Sequence, residues 1–224
     1  MMLILDTANL KDIKKAIEYY PVSGVTTNPT IITKEDGDYI QTFKKIRNLI
    51  GEDKALHVQI LAEDAETMVE EGLYLIELLG ENTYIKVPIT REGIKAIKML
   101  KEKNIKTTGT AIFTSMQALV AAEAGASFVA PYVNRIDNLQ GDGVAVVEKI
   151  KILFEEHRLD TQILAASFKN VQQIQETLLV GAENVTIPFE LLEKLIYCPS
   201  TDLSVDQFVQ DWHNRFGTKN ILRK

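Results

Sequence analysis

One cysteine, one tryptophan and three histidines in 224 residues close off several chemistries at once. Cys198 has no partner for an intrachain disulfide and no second thiol for a metal site, which suits a reducing compartment, and it reads as structural. His57, His157 and His213 do not fall beside acids at metal-ligand spacing, so no metal is expected. Acids outnumber bases, 31 against 25, and no basic stripe offsets the net charge of −6. Nucleic acid and anionic membranes are thereby disfavoured as partners. A small acidic substrate is not, because one local arginine suffices to hold it. There is no long apolar run, and the opening Met1-Met2-Leu3-Ile4-Leu5-Asp6 has no basic flank and soon meets an acid. It reads as neither signal peptide nor membrane span, and the expected location is cytoplasmic. No GxGxxG, GxxxxGKS/T or GxSxG sequence is present to announce a nucleotide loop or a serine nucleophile. Nor does any Gly/Ser-rich, Pro-rich or single-sign stretch divide the chain, so one domain over residues 1–224 is expected.

What is present is an alternation of short apolar strands with amphipathic helices. Strand patterns fall at Leu3–Leu5, Val22–Val25, Ala55–Leu61, Tyr84–Pro88, Lys106–Ile112, Ser127–Tyr132, Gln162–Ser167 and Asn184–Ile187. Helical stripes lie between them, such as Leu10, Ile13, Ile17 and Tyr20, or Ile94, Ile97 and Leu100 with Lys95, Lys98 and Lys101 on the wet face. Thr7 or Asn9 can cap the first helix, and Pro29 suits a helical first turn. Eight strand-helix repeats without a hairpin signature predict a parallel (β/α)8 TIM barrel near the lower size limit of that fold. A doubly wound open sheet is the alternative fold, and it lacks its Gly-rich first loop here. One helix is left over, residues 201–217, with Val205, Phe208, Val209, Trp212 and Phe216 as its stripe. It can fold back on its own barrel or dock on a neighbouring subunit, and its aromatic content favours the second.

Lys86 stands in the middle of an apolar strand, where lysine needs a reason to be. Burial disfavours the ammonium form, and a neutral amine can attack a carbonyl to form a Schiff base. The alternative is a lysine whose stem lies on apolar surface and whose head reaches water. Barrel active sites gather at the carboxyl ends of the strands. The polar residues expected there are Asp6, Thr26, Asn28, Gln59, Lys86, Thr110, Tyr132, Arg135 and Ser167. Each alone can be a cap or a turn residue. Together they supply the parts of imine chemistry. Lys86 is the nucleophile and Asp6 can hold or relay protons, though as an anion it opposes the effect of burial on the lysine. Tyr132, with Gln59 and Thr110, can hold a water that moves protons. Thr26 and Asn28 are candidate substrate contacts. Arg135 with Ser167 can receive a phosphate, unless Arg135 pairs with Asp137 instead.

At these residues the chain resembles the small transaldolase-like class I aldolases, and most of all the fructose-6-phosphate aldolases. The resemblance runs through Leu5-Asp6-Thr7, Gly24-Val25-Thr26-Thr27-Asn28-Pro29, Ile85-Lys86-Val87-Pro88, Gly109-Thr110-Ala111, Ala130-Pro131-Tyr132-Val133-Asn134-Arg135-Ile136-Asp137, Ala165-Ala166-Ser167 and the Gln210-Asp211-Trp212 helix. It implies a Schiff-base lysine at Lys86, proton transfer assisted by Asp6, substrate contacts from Asn28 and Ser167, and a phosphate held by Arg135 and Ser167. It implies reversible cleavage of fructose 6-phosphate to dihydroxyacetone and glyceraldehyde 3-phosphate without a cofactor. It also implies a homo-oligomer, a decamer of two pentameric rings, with the C-terminal helix reaching a neighbour. Transaldolases of the family typically carry glutamate where this chain has Gln59 and phenylalanine where it has Tyr132, so both positions are aldolase-like. Transfer of a dihydroxyacetone unit from a ketose phosphate to erythrose 4-phosphate stays open as the alternative. A barrel that binds sugar phosphate without turnover is a third reading, and it leaves a nucleophilic lysine without a purpose.

Overall fold

The computed structural model describes residues 2–218 and 220–222 and divides into two compact units, Met1–Leu192 and Glu193–Lys224. The first begins β1 (Met2–Asp6), α1 (Leu10–Tyr19), β2 (Val22–Thr26), α2 (Pro29–Ile32), α3 (Tyr39–Ile50), β3 (Ala55–Gln59), α4 (Ala65–Leu79), β4 (Thr83–Pro88) and α5 (Arg91–Glu102). It continues β5 (Thr107–Ile112), α6 (Ser115–Glu123), β6 (Phe128–Pro131), α7 (Val133–Asn138), α8 (Gly143–Glu156), β7 (Gln162–Ala165), α9 (Val171–Leu179) and β8 (Asn184–Ile187), and α10 (Phe189–Lys194) follows. Every strand pairs in parallel with the next, and β8 closes on β1 from Met2 opposite Asn184 to Leu5 opposite Ile187. The eight-stranded (β/α)8 barrel is therefore present, and every strand edge is satisfied.

Two apolar regions hold it. Between sheet and helices lie Ile13, Ile46, Ile97, Leu100, Ile150 and others, all inaccessible. Ala118 and Ala121 let α6 pack closely, while Lys95, Lys98 and Lys101 line the exposed face of α5. Inside the barrel a separate cluster joins Ile4, Phe128 and Leu164, with Met2 and Tyr84 against them. These residues come from β1, β4, β6 and β7, which can meet only across the barrel interior. Helix starts are capped by the residues that turn chemistry favours. Asn9 rather than Thr7 accepts from the first turn of α1, and Asp64, Thr90, Asp142 and Asn170 do the same for α4, α5, α8 and α9. Each such cap is worth about 1 kcal/mol.

The structure differs from the sequence pattern in three places. α3 and α10 lie where no helix was expected. Arg47 interrupts the stripe of α3, yet it is buried, because its guanidinium donates to the carbonyls of Gly51, Lys54 and Asn82. Arg135 stands on α7 and not on a strand. Cys198, read as structural, is exposed at the cap position of α11 (Pro199–Phe216).

In the second unit α11 matches the extra helix expected over 201–217. Pro199 occupies its first turn and Gly217 ends it in the left-handed region at φ 71°. Phe208, Trp212 and Phe216 are exposed, the last two with ring centroids 4.5 Å apart.

Candidate active site

Strand alternation turns Tyr84 and Lys86 to the same side of β4, and Tyr84 belongs to the interior cluster. Lys86 therefore projects into the barrel, toward the carboxyl ends of the strands. It is 5% exposed, and its Nζ donates to the carbonyl of Thr27 at 2.8 Å. No carboxylate lies within salt-bridge distance of it among the described residues. Gln59 sits opposite Lys86 in the β3–β4 register and is half-buried.

A second group forms where β8, β1 and β2 adjoin. Asp6 lies opposite Thr26, whose hydroxyl donates to Asp6 Oδ1 at 2.6 Å. With that proton committed, Thr186 Oγ1, 2.6 Å from Thr26 Oγ1, is the donor in the second link of the chain. Burial pushes the Asp6 carboxyl above its usual range, and this outweighs the opposing pull of Lys86, the Thr26 hydrogen bond and Arg135. A carboxyl raised in this way beside a buried amine is suited to exchanging protons.

The third group spans β5 and β6. Thr110 Oγ1 is 3.0 Å from the hydroxyl of Tyr132, and both are buried. A register shift between Gly109 and Ile112, with Ala111 at φ 57°, breaks the regular ladder next to Thr110. Such bulges re-aim side chains at the ends of strands. The Arg135 guanidinium lies over the Tyr132 ring, 4.6 Å from its centroid. Arg135 is exposed and makes no ion pair among the described residues. Asp137, its other expected partner, instead accepts from the Gly143 amide at 2.8 Å and from Gln173 Nε2 at 2.7 Å. Gly143 cannot be larger, since a Cβ there would lie 2.4 Å from the Val133 carbonyl oxygen. α7 is thus seated on α8 with its arginine left free.

Ser167 follows β7 with φ 65°, a left-handed backbone unusual for serine. Its carbonyl accepts from the Asn134 amide at 2.8 Å, which ties the end of β7 to the helix carrying Arg135. Asn28 uses its Oδ1 to cap α2 by accepting from the Ile31 amide at 3.0 Å, and its Nδ2 stays available.

Eight of the nine expected residues thus stand on a strand toward its carboxyl end or just past it, and Arg135 stands on α7 beyond β6. Six of the nine form three hydrogen-bonded or stacked groups: Asp6 with Thr26, Lys86 with the end of β2, and Thr110 with Tyr132 and Arg135. Gln59 makes no hydrogen bond to Thr110 or Tyr132, so a water shared by the three rests on position alone. Sequence reasoning missed Thr186, whose alternation with Asn184 on the eighth strand was the available signal, and the role of the Thr27 carbonyl, which no side-chain pattern carries.

The fold and this constellation define a (β/α)8 barrel with a lysine buried in its interior. Over residues 3–220 the chain matches the family described as transaldolase/fructose-6-phosphate aldolase, and it belongs to that family of enzymes. Among solved structures, the barrel is similar to a doubly substituted flavocytochrome b2 with sulfite bound, at TM-score 0.61 and 13% identity, covering 84% of this chain and 56% of that one. A singly substituted flavocytochrome b2 with benzoylformate gives TM-score 0.59 and 12% identity, covering 84% and 57%. The chain thus spans little more than half the length of these structures, and at such identity the likeness is one of fold alone.

Proposed function

We propose that the protein is a class I aldolase that cleaves fructose 6-phosphate reversibly to dihydroxyacetone and glyceraldehyde 3-phosphate through an imine on Lys86. The observation that carries this reading is a lysine buried inside the barrel, hydrogen-bonded to a backbone carbonyl and not neutralised by a carboxylate. Such a residue is costly for folding and apt for nucleophilic attack on a ketone. Its Nζ adds to the C2 carbonyl, the carbinolamine loses water, and the protonated imine becomes an electron sink. Removal of the C4 hydroxyl proton then breaks the C3–C4 bond, releasing glyceraldehyde 3-phosphate and leaving the electron pair in an enamine. The enamine takes a proton at C3, and water frees dihydroxyacetone from Lys86. Asp6 and a water held near Tyr132, Thr110 and Gln59 carry the protons in this reading. Arg135 and Ser167 hold the phosphate, with Thr26 and Asn28 lining the sugar.

Gln59 and Tyr132 favour the aldolase over the transaldolase, since a neutral amide and a phenol supply different proton delivery from a carboxylate and a phenyl ring. The reading includes assembly as well. The exposed Phe208, Trp212 and Phe216 on α11 are proposed to dock on a neighbouring copy in a ring-shaped oligomer, and light scattering would read its mass.

The test is borohydride reduction with fructose 6-phosphate, followed by mass analysis, and product analysis with and without erythrose 4-phosphate. An adduct at Lys86 with dihydroxyacetone released in the absence of acceptor is expected. Sedoheptulose 7-phosphate formed only with acceptor would make the protein a transaldolase. Absence of any adduct would end both readings.

A further inference from the structure

Below Lys86 the barrel holds a titratable side chain that the imine chemistry leaves idle. His57 is completely buried, and its ring lies flat on Tyr84, with centroids 4.6 Å apart and planes 13° from parallel. Phe128 meets it edge-on at 5.4 Å. From β3 the ring reaches across the front of β4, so that its Nδ1 comes 2.9 Å from Thr108 Oγ1 on β5. Thr108 is the register partner of Lys86, which places the imidazole between the level of Tyr84 and that of the lysine. Burial, with Lys86 nearby, holds it neutral, its pKa lowered to about 3. The other nitrogen, Nε2, is enclosed and has no hydrogen-bond partner among the described residues. Enclosed polar atoms are nearly always paired, so an unpaired one marks the place of a missing group.

The geometry of an imine says which group that is, and the step rests on the Schiff-base reading above. A ketone condensed with Lys86 carries two substituents on its former carbonyl carbon. The one whose bond is made or broken faces the mouth, where Arg135 and Ser167 stand. The other turns inward, toward the imidazole. We propose that His57, oriented by Thr108, is a specificity-determining residue whose Nε2 hydrogen-bonds a hydroxyl on the inward carbon of the donor. The site then prefers a hydroxymethyl ketone to the methyl ketone of otherwise equal shape. Either tautomer serves, because a hydroxyl both donates and accepts.

Dihydroxyacetone and hydroxyacetone differ by that one hydroxyl, so kcat/KM for each, with glyceraldehyde 3-phosphate as acceptor, reads the contact directly. In His57→Phe, which keeps an aromatic ring on Tyr84, the ratio of dihydroxyacetone to hydroxyacetone is expected to fall roughly tenfold or more, mainly through KM for dihydroxyacetone. His57→Gln retains a donor and an acceptor and should recover part of the ratio. A borohydride adduct with hydroxyacetone at Lys86 in His57→Phe, together with an unchanged ratio, would overturn the inference while leaving the imine intact. If that variant does not fold, Thr108→Val releases the ring from its tether and should lower the same ratio; an unchanged ratio there also refutes it. No adduct with either ketone in the unaltered protein would fell the Schiff-base reading first, and this inference with it.

Discussion

The barrel interior has two levels built from the same strands. Near the amino ends, Ile4, Phe128 and Leu164 close the barrel as an apolar plug. Near the carboxyl ends, Asp6, Thr26, Lys86, Thr110 and Tyr132 occupy the same inward face with ionisable and hydroxyl groups. Two residues along a strand are enough to pass from one to the other, as Tyr84 and Lys86 show on β4. The plug gains free energy from burial, about 1.5–3 kcal/mol for a large apolar side chain. The polar level gives some of it up, because a buried amine and a half-buried carboxyl each lose hydration that hydrogen bonds only partly restore. Stability and chemistry are therefore separated along the barrel axis, and substitutions can pull them apart.

The widest separation is expected from Lys86→Met. On the proposed imine mechanism, turnover and borohydride trapping should fall by about 10⁴-fold or more, as for loss of a covalent nucleophile. The melting temperature should not drop, since a methionine of similar volume replaces a desolvated amine. A variant that unfolds would make Lys86 a structural residue and remove the contrast between the levels. Leu164→Ala is the reciprocal test. Leu164 is 1% exposed in the plug, and its truncation should cost roughly 2–5 kcal/mol, lowering the melting temperature by about 10 °C. Well below that temperature the Lys86 adduct should form as before. Loss of trapping in a folded Leu164→Ala protein would show that the two levels are not independent.

Much of this division follows the strand pattern, which is why Asp6, Gln59 and Lys86 could be placed toward the carboxyl ends of their strands from sequence. The eight repeats and the helix starts were legible for a similar reason, since apolar spacing and capping residues are local. What depends on long-range contact was not. Arg135 stood out as a phosphate ligand, but its helix is set by Asp137 on Gly143 and Gln173, contacts across three separate helices. The left-handed backbone at Ser167 and Ala111 leaves no trace in residue type, because neither is glycine. α3 was hidden by Arg47, a charge whose burial makes sense only once the carbonyls of Lys54 and Asn82 are beside it. The tether of His57 was hidden for the same reason, since its partner Thr108 lies two strands away.

His57 joins the two levels, and its titration measures how dry the junction is. Its pKa of about 3 in the folded protein lies below the ordinary 6.5, so the unfolded chain takes up the proton first as pH falls. Stability is full above pH 6.5 and declines progressively between there and pH 3. By pH 5.5 this group alone should remove about 1.4 kcal/mol. Urea titrations at pH 7.5 and 5.5 should show the loss in the unaltered protein and a correspondingly smaller loss in His57→Phe. Equal losses would mean that water reaches the imidazole and that the plug does not seal the site from below.

The smallest expected effect has the opposite sign and comes from Asp6. Its carboxyl is pushed above the usual value by burial, against Lys86, Thr26 and Arg135. The folded state therefore holds the proton more tightly than the unfolded chain. The favourable contribution is complete below the unfolded value of 3.8 and is lost as pH rises through the folded one. At pH 7 the unfolded chain solvates this carboxylate and the fold does not, a cost that Asp6→Asn removes while keeping an oxygen to accept from Thr26. That variant should melt roughly 2–4 °C higher at pH 7, the shift that about 1 kcal/mol produces in a chain of this size, and should lose its advantage toward pH 4. On the proposed aldolase reading its turnover should fall at the same time, because the amide cannot exchange a proton. A variant less stable than the parent at pH 7 would show that the attraction between Asp6 and Lys86 outweighs the burial of both, and the polar level would then support the fold instead of taxing it.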